Sequence, residues 1–295
     1  MKILVTGSTG FIGNHLINKL LEENHSILGL SRKGSNLNNK IEYLNIDLAN
    51  PETCHEIVSS FNPEIVIHLA WQDIPDFTLE KSLLNLKNSV EFLSFIQKIH
   101  SVKKVIISGS CFEYLNPIGE CIEGINESSK DYFTWAKLSL KSFLELEQKK
   151  NLFQVYWLRI FYVYGPNQRN RSLIPTIIDS FKKNVIPNIR NPFNANDFIY
   201  IDDVIDAFSS VIEQDVSPGT YNIGSGSSIS VLEICNHLET LILNSNDMTL
   251  AIQKQRKNET KIIDFWANIE KSKISLKWEP KVGLSEGLRK VVRLY

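Results

Sequence analysis

The sequence predicts an α/β fold, a doubly wound parallel sheet followed by a smaller C-terminal lobe. Three observations point there. Short apolar or β-branched runs alternate with longer helical patterns through the first half of the chain. Gly7, Gly10 and Gly13 stand directly between the first apolar run and the first helical pattern. After "YGP" at 164–166 the rhythm breaks into short mixed segments richer in Asn, Pro and basic residues.

The elements follow in order. "KILVT" reads as a strand and leads into a helix through "FIGNHLINKLLEEN". "SILGLS" is a second strand that runs into a loop; "IEYLNI" leads to "ETCHEIVSSF", and "EIVIHLA" to a long helix near 79–100. "KKVIISG", a helix from about 130 to 149, and "FQVYWLRI" complete the series. Strand and helix repeated in this way imply a parallel sheet covered on both faces, and continuously apolar strands fit that burial. Residues 1–164 with about 199–225 form the expected first domain; about 165–198 and 226–295 form the second lobe.

Composition narrows the function classes. The chain has 295 residues, 43% apolar and 22% charged, ordinary values for a globular protein. Its formal net charge of −1 gives no electrostatic reason to expect nucleic acid or an anionic membrane as partner. Cys54, Cys111, Cys121 and Cys235 are too scattered for a metal site or a disulfide framework. No eighteen-residue apolar run and no signal-like leader are present, so a cytoplasmic setting is expected.

The glycine loop carries the first functional signal. Glycines at this spacing permit a tight turn, let the backbone approach a diphosphate, and allow the helix to pack close while its first amides face the anion. The strand-turn-helix context is the one that makes a Rossmann-type dinucleotide site credible.

Nine segments in order resemble the extended short-chain dehydrogenase/reductase family, in its nucleotide-sugar epimerase, dehydratase and ketoreductase branch. They are "TGSTGFIG", "NIDLAN", "IHLA", "ISGSCFEY", "DYFTWAK", "LRIFYVYGP", "DFIYIDDV", "YNIGSGSSISVLEI" and "LKWEPKVGLSEGLRKVV". The resemblance implies a dinucleotide-binding first domain, a substrate-binding C-terminal lobe, and a homodimer through the helices near 79–100 and 130–149. It implies cofactor contacts at Gly7, Gly10, Phe11, Ile12, Gly13, Asp47, Leu48, Leu69, Ala70, Ser108 and Lys137, with Asp47 and Leu48 flanking the adenine. His68, on the "IHLA" strand, reads as a structural histidine. Ser31 and Arg32 end the second strand where an acid would accept from the ribose hydroxyls of NAD. A hydroxyl and a guanidinium suit a phosphomonoester, so NADP(H) is preferred and NAD(H) is the alternative; Lys33 is a secondary contact.

In this family a tyrosine, with a lysine and a serine or threonine, moves the proton while hydride passes between nicotinamide and sugar. The resemblance puts the serine at Ser110 and the lysine at Lys137. The tyrosine should lie four residues before the lysine, and that residue is Phe133; Tyr132 is five before. One residue turns a helical side chain by about 100°. General acid–base assistance is worth about 10²–10⁴ in rate. Tyr132 is the first candidate replacement, then Ser110 directly or through water, then Tyr114 or Tyr162.

Dehydratases of this type need an Asp-Glu pair after the serine position, where this chain has Cys111 and Phe112, so dehydration is disfavoured. On strand alternation Glu113 should point away from the Phe112 face. Trp71 and Tyr162 are candidate sugar contacts; Arg256 matches a family arginine for the nucleotide diphosphate, with Arg169 and Arg190 as possible compensators. The expected function is NADP(H)-dependent reduction of a nucleotide-linked 4-keto-6-deoxy hexose. The alternatives are a 4-epimerase (or dehydratase) with tightly bound NAD(P), and a non-catalytic dinucleotide sensor.

Overall fold

The structure is a computed structural model and describes residues 1–32, 41–150, 152–254 and 262–295. The chain opens with β1 (Lys2–Thr6), α1 (Phe11–Glu22), β2 (Ser26–Ser31), β3 (Glu42–Asn45), α2 (His55–Phe61), β4 (Ile65–His68), α3 (Leu79–Ile96) and β5 (Lys104–Ser110). It continues with β6 (Gly119–Cys121), α4 (Tyr132–Gln148), β7 (Gln154–Ile160), β8 (Tyr162–Tyr164), α5 (Leu173–Lys182), β9 (Ala195–Asn196) and β10 (Phe198–Tyr200). After these come α6 (Ile201–Glu213), β11 (Gly219–Ile223), β12 (Ile229–Ser230), α7 (Val231–Leu243), α8 (Asp247–Lys254), β13 (Asp264–Ala267), α9 (Glu270–Leu276) and α10 (Leu284–Val292).

Seven strands form one sheet in the order β11-β7-β5-β4-β1-β2-β3. The pairs β1–β2, β2–β3, β1–β4 and β4–β5 are parallel. The chain builds outward from β1 to β3, then crosses to β4 on the other side of β1. Open sheets bind ligands outside the carboxyl ends of the strands at such a reversal. The central strands are buried along their length, Ile3, Leu4 and Val5 in β1 and Val105, Ile106 and Ile107 in β5 among them. That is why their sequences are continuously apolar rather than alternating. The α/β doubly wound parallel sheet is therefore the fold of the chain.

Two compact units divide the described chain. The first comprises Met1–Leu115, Gly124–Arg159 and Ile205–Tyr221, and the second Asn116–Glu123, Ile160–Val204 and Asn222–Tyr295. In the second unit, β12, β9, β13 and β6 form a small sheet and β8 pairs with β10. Two buried carboxylates tie its loops. Asp197 accepts from the amides of Ser225, Gly226 and Ala267, and Asp203 from those of Lys281 and Val282. Among the described residues no helix is long and apolar enough to cross a membrane.

Candidate active site

The glycine cradle is set by close packing. Gly7 has φ +68°, and a Cβ there would lie 2.8 Å from the Ala70 amide nitrogen. A Cβ on Gly13 would run into the Gly7 carbonyl oxygen. Gly10 starts α1 without a side chain to cap it, and the first turn carries no acid. Among the described residues, the first-turn amides, those of Phe11, Ile12 and Gly13 included, thus have no side-chain acceptor, which is what an anionic diphosphate requires. The cradle fits a dinucleotide.

Beyond β2, Ser31 is buried and its carbonyl accepts from the Ile46 amide at 2.8 Å. Arg32 is exposed, with Nη1 donating to Gln72 Oε1 at 3.0 Å. Asn85 holds Gln72 in turn, accepting from its amide at 2.6 Å. Asp47 is exposed and accepts from the Ala49 amide, while Leu48 is buried. Leu69 and Ala70 are half-buried beside Thr6, whose hydroxyl accepts from the Ala70 amide at 3.3 Å. These residues, with the glycine loop, surround the carboxyl ends of β1 to β4.

His68 is held on both sides, Nδ1 2.9 Å from Thr6 Oγ1 and Nε2 3.0 Å from Ser89 Oγ. Ser89 donates to the Asn85 carbonyl, so Nε2 carries the proton and Nδ1 accepts from Thr6. Burial, with Lys137 acting in the same direction, pushes His68 down to about 3. It is a neutral structural histidine.

Asp131 decides where α4 begins. Its carboxylate accepts from the Thr134 amide at 2.8 Å, and Thr134 Oγ1 accepts from the Asp131 amide at 3.2 Å. This reciprocal cap makes Tyr132 the first helical residue. Tyr132 is 52% exposed and Phe133 4%. The ring of Phe133 stacks on Phe77 at 4.6 Å and meets Trp71 and Phe112 edge to face at 5.6 and 6.5 Å. One turn further on, Lys137 is buried; its Nζ donates to the Ser108 carbonyl at 2.9 Å and lies 4.0 Å above the Trp71 ring. Burial pushes Lys137 down to about 8, with the charge of Glu113 opposing it.

Ser110 Oγ accepts from the Phe112 amide at 3.2 Å, capping the turn Cys111–Glu113. The strand alternation expected to orient Glu113 does not reach it, because β5 ends at Ser110 and a 3-10 turn follows. Glu113 is buried for another reason. It accepts from the Ser110 amide, from Trp157 Nε1 and from Arg159 Nε at 2.7, 2.9 and 2.9 Å. Arg159 Nη1 reaches Glu127 at 2.9 Å.

The structure thus gathers Trp71, Ser108, Phe112, Phe133 and Lys137 around one spot and leaves the Tyr132 ring half in solvent. Tyr114 is buried under the Arg159 guanidinium, 4.5 Å above its ring. In the second unit, Tyr162 is half-buried with its ring against Phe198 and Phe265, and Arg169 is exposed. Lys33 and Arg256 lie outside the described residues. Sequence reasoning missed Phe77 and the Glu113–Arg159–Glu127 network. A buried arginine inside the apolar run "VYWLRI" was the one available signal for the latter.

A reversed parallel sheet, a glycine cradle and a buried lysine reaching back to the strand after β4 together define a short-chain dehydrogenase/reductase. The model of the NAD dependent epimerase/dehydratase family matches residues 3–224, and the chain belongs to that family, whose members are NAD-dependent enzymes acting on nucleotide sugars. Over 305 residues it is 27% identical to a putative UDP-glucose 4-epimerase of Methanocaldococcus jannaschii, covering 98% of this chain and 97% of that one. It is also 27% identical to the dTDP-4-dehydro-6-deoxyglucose reductase of Escherichia coli, covering 99% and 96%. Among solved structures, UDP-glucose 4-epimerase of Thermotoga maritima with UDP-glucose superposes with a TM-score of 0.85 at 25% identity, covering 100% and 98%. A tyrosine-to-phenylalanine variant of Bacillus cereus UDP-glucuronic acid 4-epimerase, in complex with UDP-4-deoxy-4-fluoro-glucuronic acid and NAD, gives 0.84 at 25%, with the same coverage.

Proposed function

We propose that the protein is an NADP(H)-dependent ketoreductase acting on a nucleotide-linked 4-keto-6-deoxy hexose. The observation that carries this is the pairing of Arg32 at the end of β2 with Phe133 in the tyrosine slot. An exposed guanidinium where a ribose-binding carboxylate would stand suits a 2′-phosphate. A phenylalanine hinders epimerisation more than reduction. Epimerisation must begin by removing a proton from a sugar hydroxyl and end by returning one, whereas a reduction needs a single proton delivered. The reductase relative from Escherichia coli supports the same direction.

On this reading the amides at the start of α1 hold the diphosphate. Ser31 and Arg32 hold the 2′-phosphate, and Asp47 and Leu48 flank the adenine. Leu69, Ala70, Ser108 and Lys137 line the nicotinamide side, where the bound cofactor supplies hydride. Ser110 and Lys137 stand at the carbonyl oxygen. Trp71, Tyr162 and Arg256 are assigned to the nucleotide sugar. The reading includes a homodimer.

A second reading, 4-epimerisation with retained NAD, is favoured by the similar solved epimerases, one of them binding NAD. Purified protein is mixed with NADPH, NADH and a panel of 4-keto-6-deoxy nucleotide sugars. Stoichiometric NADPH oxidation with a 4-hydroxy product is expected. Interconversion of 4-epimers without net consumption of dinucleotide would replace the ketoreductase by the epimerase.

A further inference from the structure

We propose that the Lys137 ammonium itself donates the proton to the developing alkoxide, in the role that a phenol at position 133 would otherwise fill. The proposal rests on the ketoreductase reading and supplies its missing acid. Phe133 closes its slot with a ring that has no proton to give, and Phe77, Trp71 and Phe112 pack around it. The Asp131 cap fixes the helix start, so the neighbouring phenol of Tyr132 stands half in solvent.

Of the two groups assigned to the carbonyl oxygen, Ser110 is half-buried with its hydroxyl oxygen capping the turn at the Phe112 amide, and Lys137 is the buried one, a cation with protons to give. Among the described residues it makes no ion pair: one N–H goes to the Ser108 carbonyl, and the cation faces the Trp71 ring. A buried ammonium without a counter-ion is a strained charge, because desolvation favours the neutral amine. The shift to about 8 agrees with that geometry. A lysine tuned towards neutrality is a competent general acid. Among the described residues, the charged and titratable groups on the surrounding elements are few. Glu113, on the turn after β5, favours the ammonium but is neutralised by Arg159 on β7. His68 on β4 is neutral. Lys130, before α4, lies 4.5 Å over the Phe112 ring, and Asp131 is engaged in the helix cap.

The step balances. The carbonyl carbon receives a hydride, with its electron pair, from a dihydronicotinamide cofactor. The C=O π pair becomes a lone pair on oxygen, an O–H bond forms to a Lys137 proton, and one N–H bond breaks. The neutral amine left behind recovers a proton from water.

Two readouts test this. In the first, the free protein with isotope-labelled lysines is titrated by NMR, with Lys137→Met assigning the signal. Lys137 is expected to titrate near 8, well below the other lysines; a midpoint at the ordinary lysine value of about 10.4 overturns the proposal. In the second, turnover is followed against pH. The wild-type kcat is expected to fall as pH rises through about 8, where the ammonium is lost. Lys137→Arg keeps a cation that does not release its proton, so it should bind NADPH but lose about 10²-fold or more in kcat. Adding Phe133→Tyr to Lys137→Arg should restore at least about tenfold of that loss, since a phenol then donates. Equal kcat in wild type and Lys137→Arg overturns the proposal. If Phe133→Tyr alone reduces 4-keto nucleotide sugars and the wild type does not, the ketoreductase reading stands and the role of Lys137 falls. If neither protein reduces any of them, both fall.

Discussion

At the scale of single residues, the proposed preference for NADP(H) rests chiefly on the charge of Arg32. Arg32 is exposed at the end of β2 and is steadied by Gln72 at 3.0 Å. A guanidinium there attracts a phosphomonoester and leaves a ribose diol unserved, whereas a carboxylate does the opposite. Hydrogen bonds to charged groups contribute about 1.5–3 kcal/mol, or about 10–100-fold in affinity. Arg32→Asp should therefore lower kcat/KM for NADPH relative to NADH by at least about tenfold. The check is initial-rate kinetics with both dinucleotides, and an unchanged ratio would remove Arg32 from the cofactor site. Arg32 is exposed, so the change should leave folding intact.

Between elements, the telling feature is the ion network that joins the turn after β5 to β7 and to the loop before α4. Arg159 links Glu113 and Glu127, and Glu113 also anchors the Ser110 amide. Arg159→Met would leave Glu113 buried without its partner, a loss of about 3–5 kcal/mol in a urea unfolding measurement. A loss below about 1 kcal/mol would mean the network contributes little. The same pairing has a pH signature. Burial acts to raise the Glu127 carboxyl, but the Arg159 hydrogen bond and charge outweigh it and hold the group down at about 2. Its ordinary value is 4.5, so the stabilisation is complete above about that pH and is lost as pH falls through the folded value near 2. Arg159→Met should weaken this acid-side dependence along with the stability, leaving the part due to the Gly124 amide and Lys141. Of this network the sequence showed only an arginine inside the apolar run "VYWLRI", not its partners. Glu113, Glu127 and Arg159 come from separate segments, and nothing in local pattern says that they meet. The sheet was legible, because doubly covered strands such as β1, β4 and β5 write their burial as unbroken apolar runs. The starts of α1 and α4 were readable from Gly10 and from the stretch around Asp131. The turn Cys111–Glu113 was not, since a strand pattern does not mark where a tight turn cuts it off. The aromatic cluster had the same difficulty: Phe77, Phe112 and Phe133 meet only through the fold.

For the molecule as a whole, α4 carries an apolar stripe that a partner would cover. Trp135, Leu138, Ser139, Ser142, Phe143 and Leu146 line one shallow groove there, a stripe at helical spacing with Trp135 and Leu146 exposed. On α3, which packs against α4, Leu79 and Leu83 are also exposed. Exposed apolar surface of this kind marks an interaction site. Ser139 and Ser142 are small enough to let another helix approach closely, and two helices meeting their copies across a two-fold axis make a self-complementary interface. The proposed homodimer therefore has α3 and α4 at its centre. Leu83 and Leu146 are exposed in the single chain, so replacing them by glutamate should leave each chain folded. The doubly substituted Leu83→Glu, Leu146→Glu protein should sediment as a folded monomer, at concentrations where the wild type sediments as a dimer. Burying a pair of like charges across the axis would weaken association by at least about tenfold. A monomeric wild type at micromolar concentration, or a variant that dimerises unchanged, would place the partner of this stripe elsewhere.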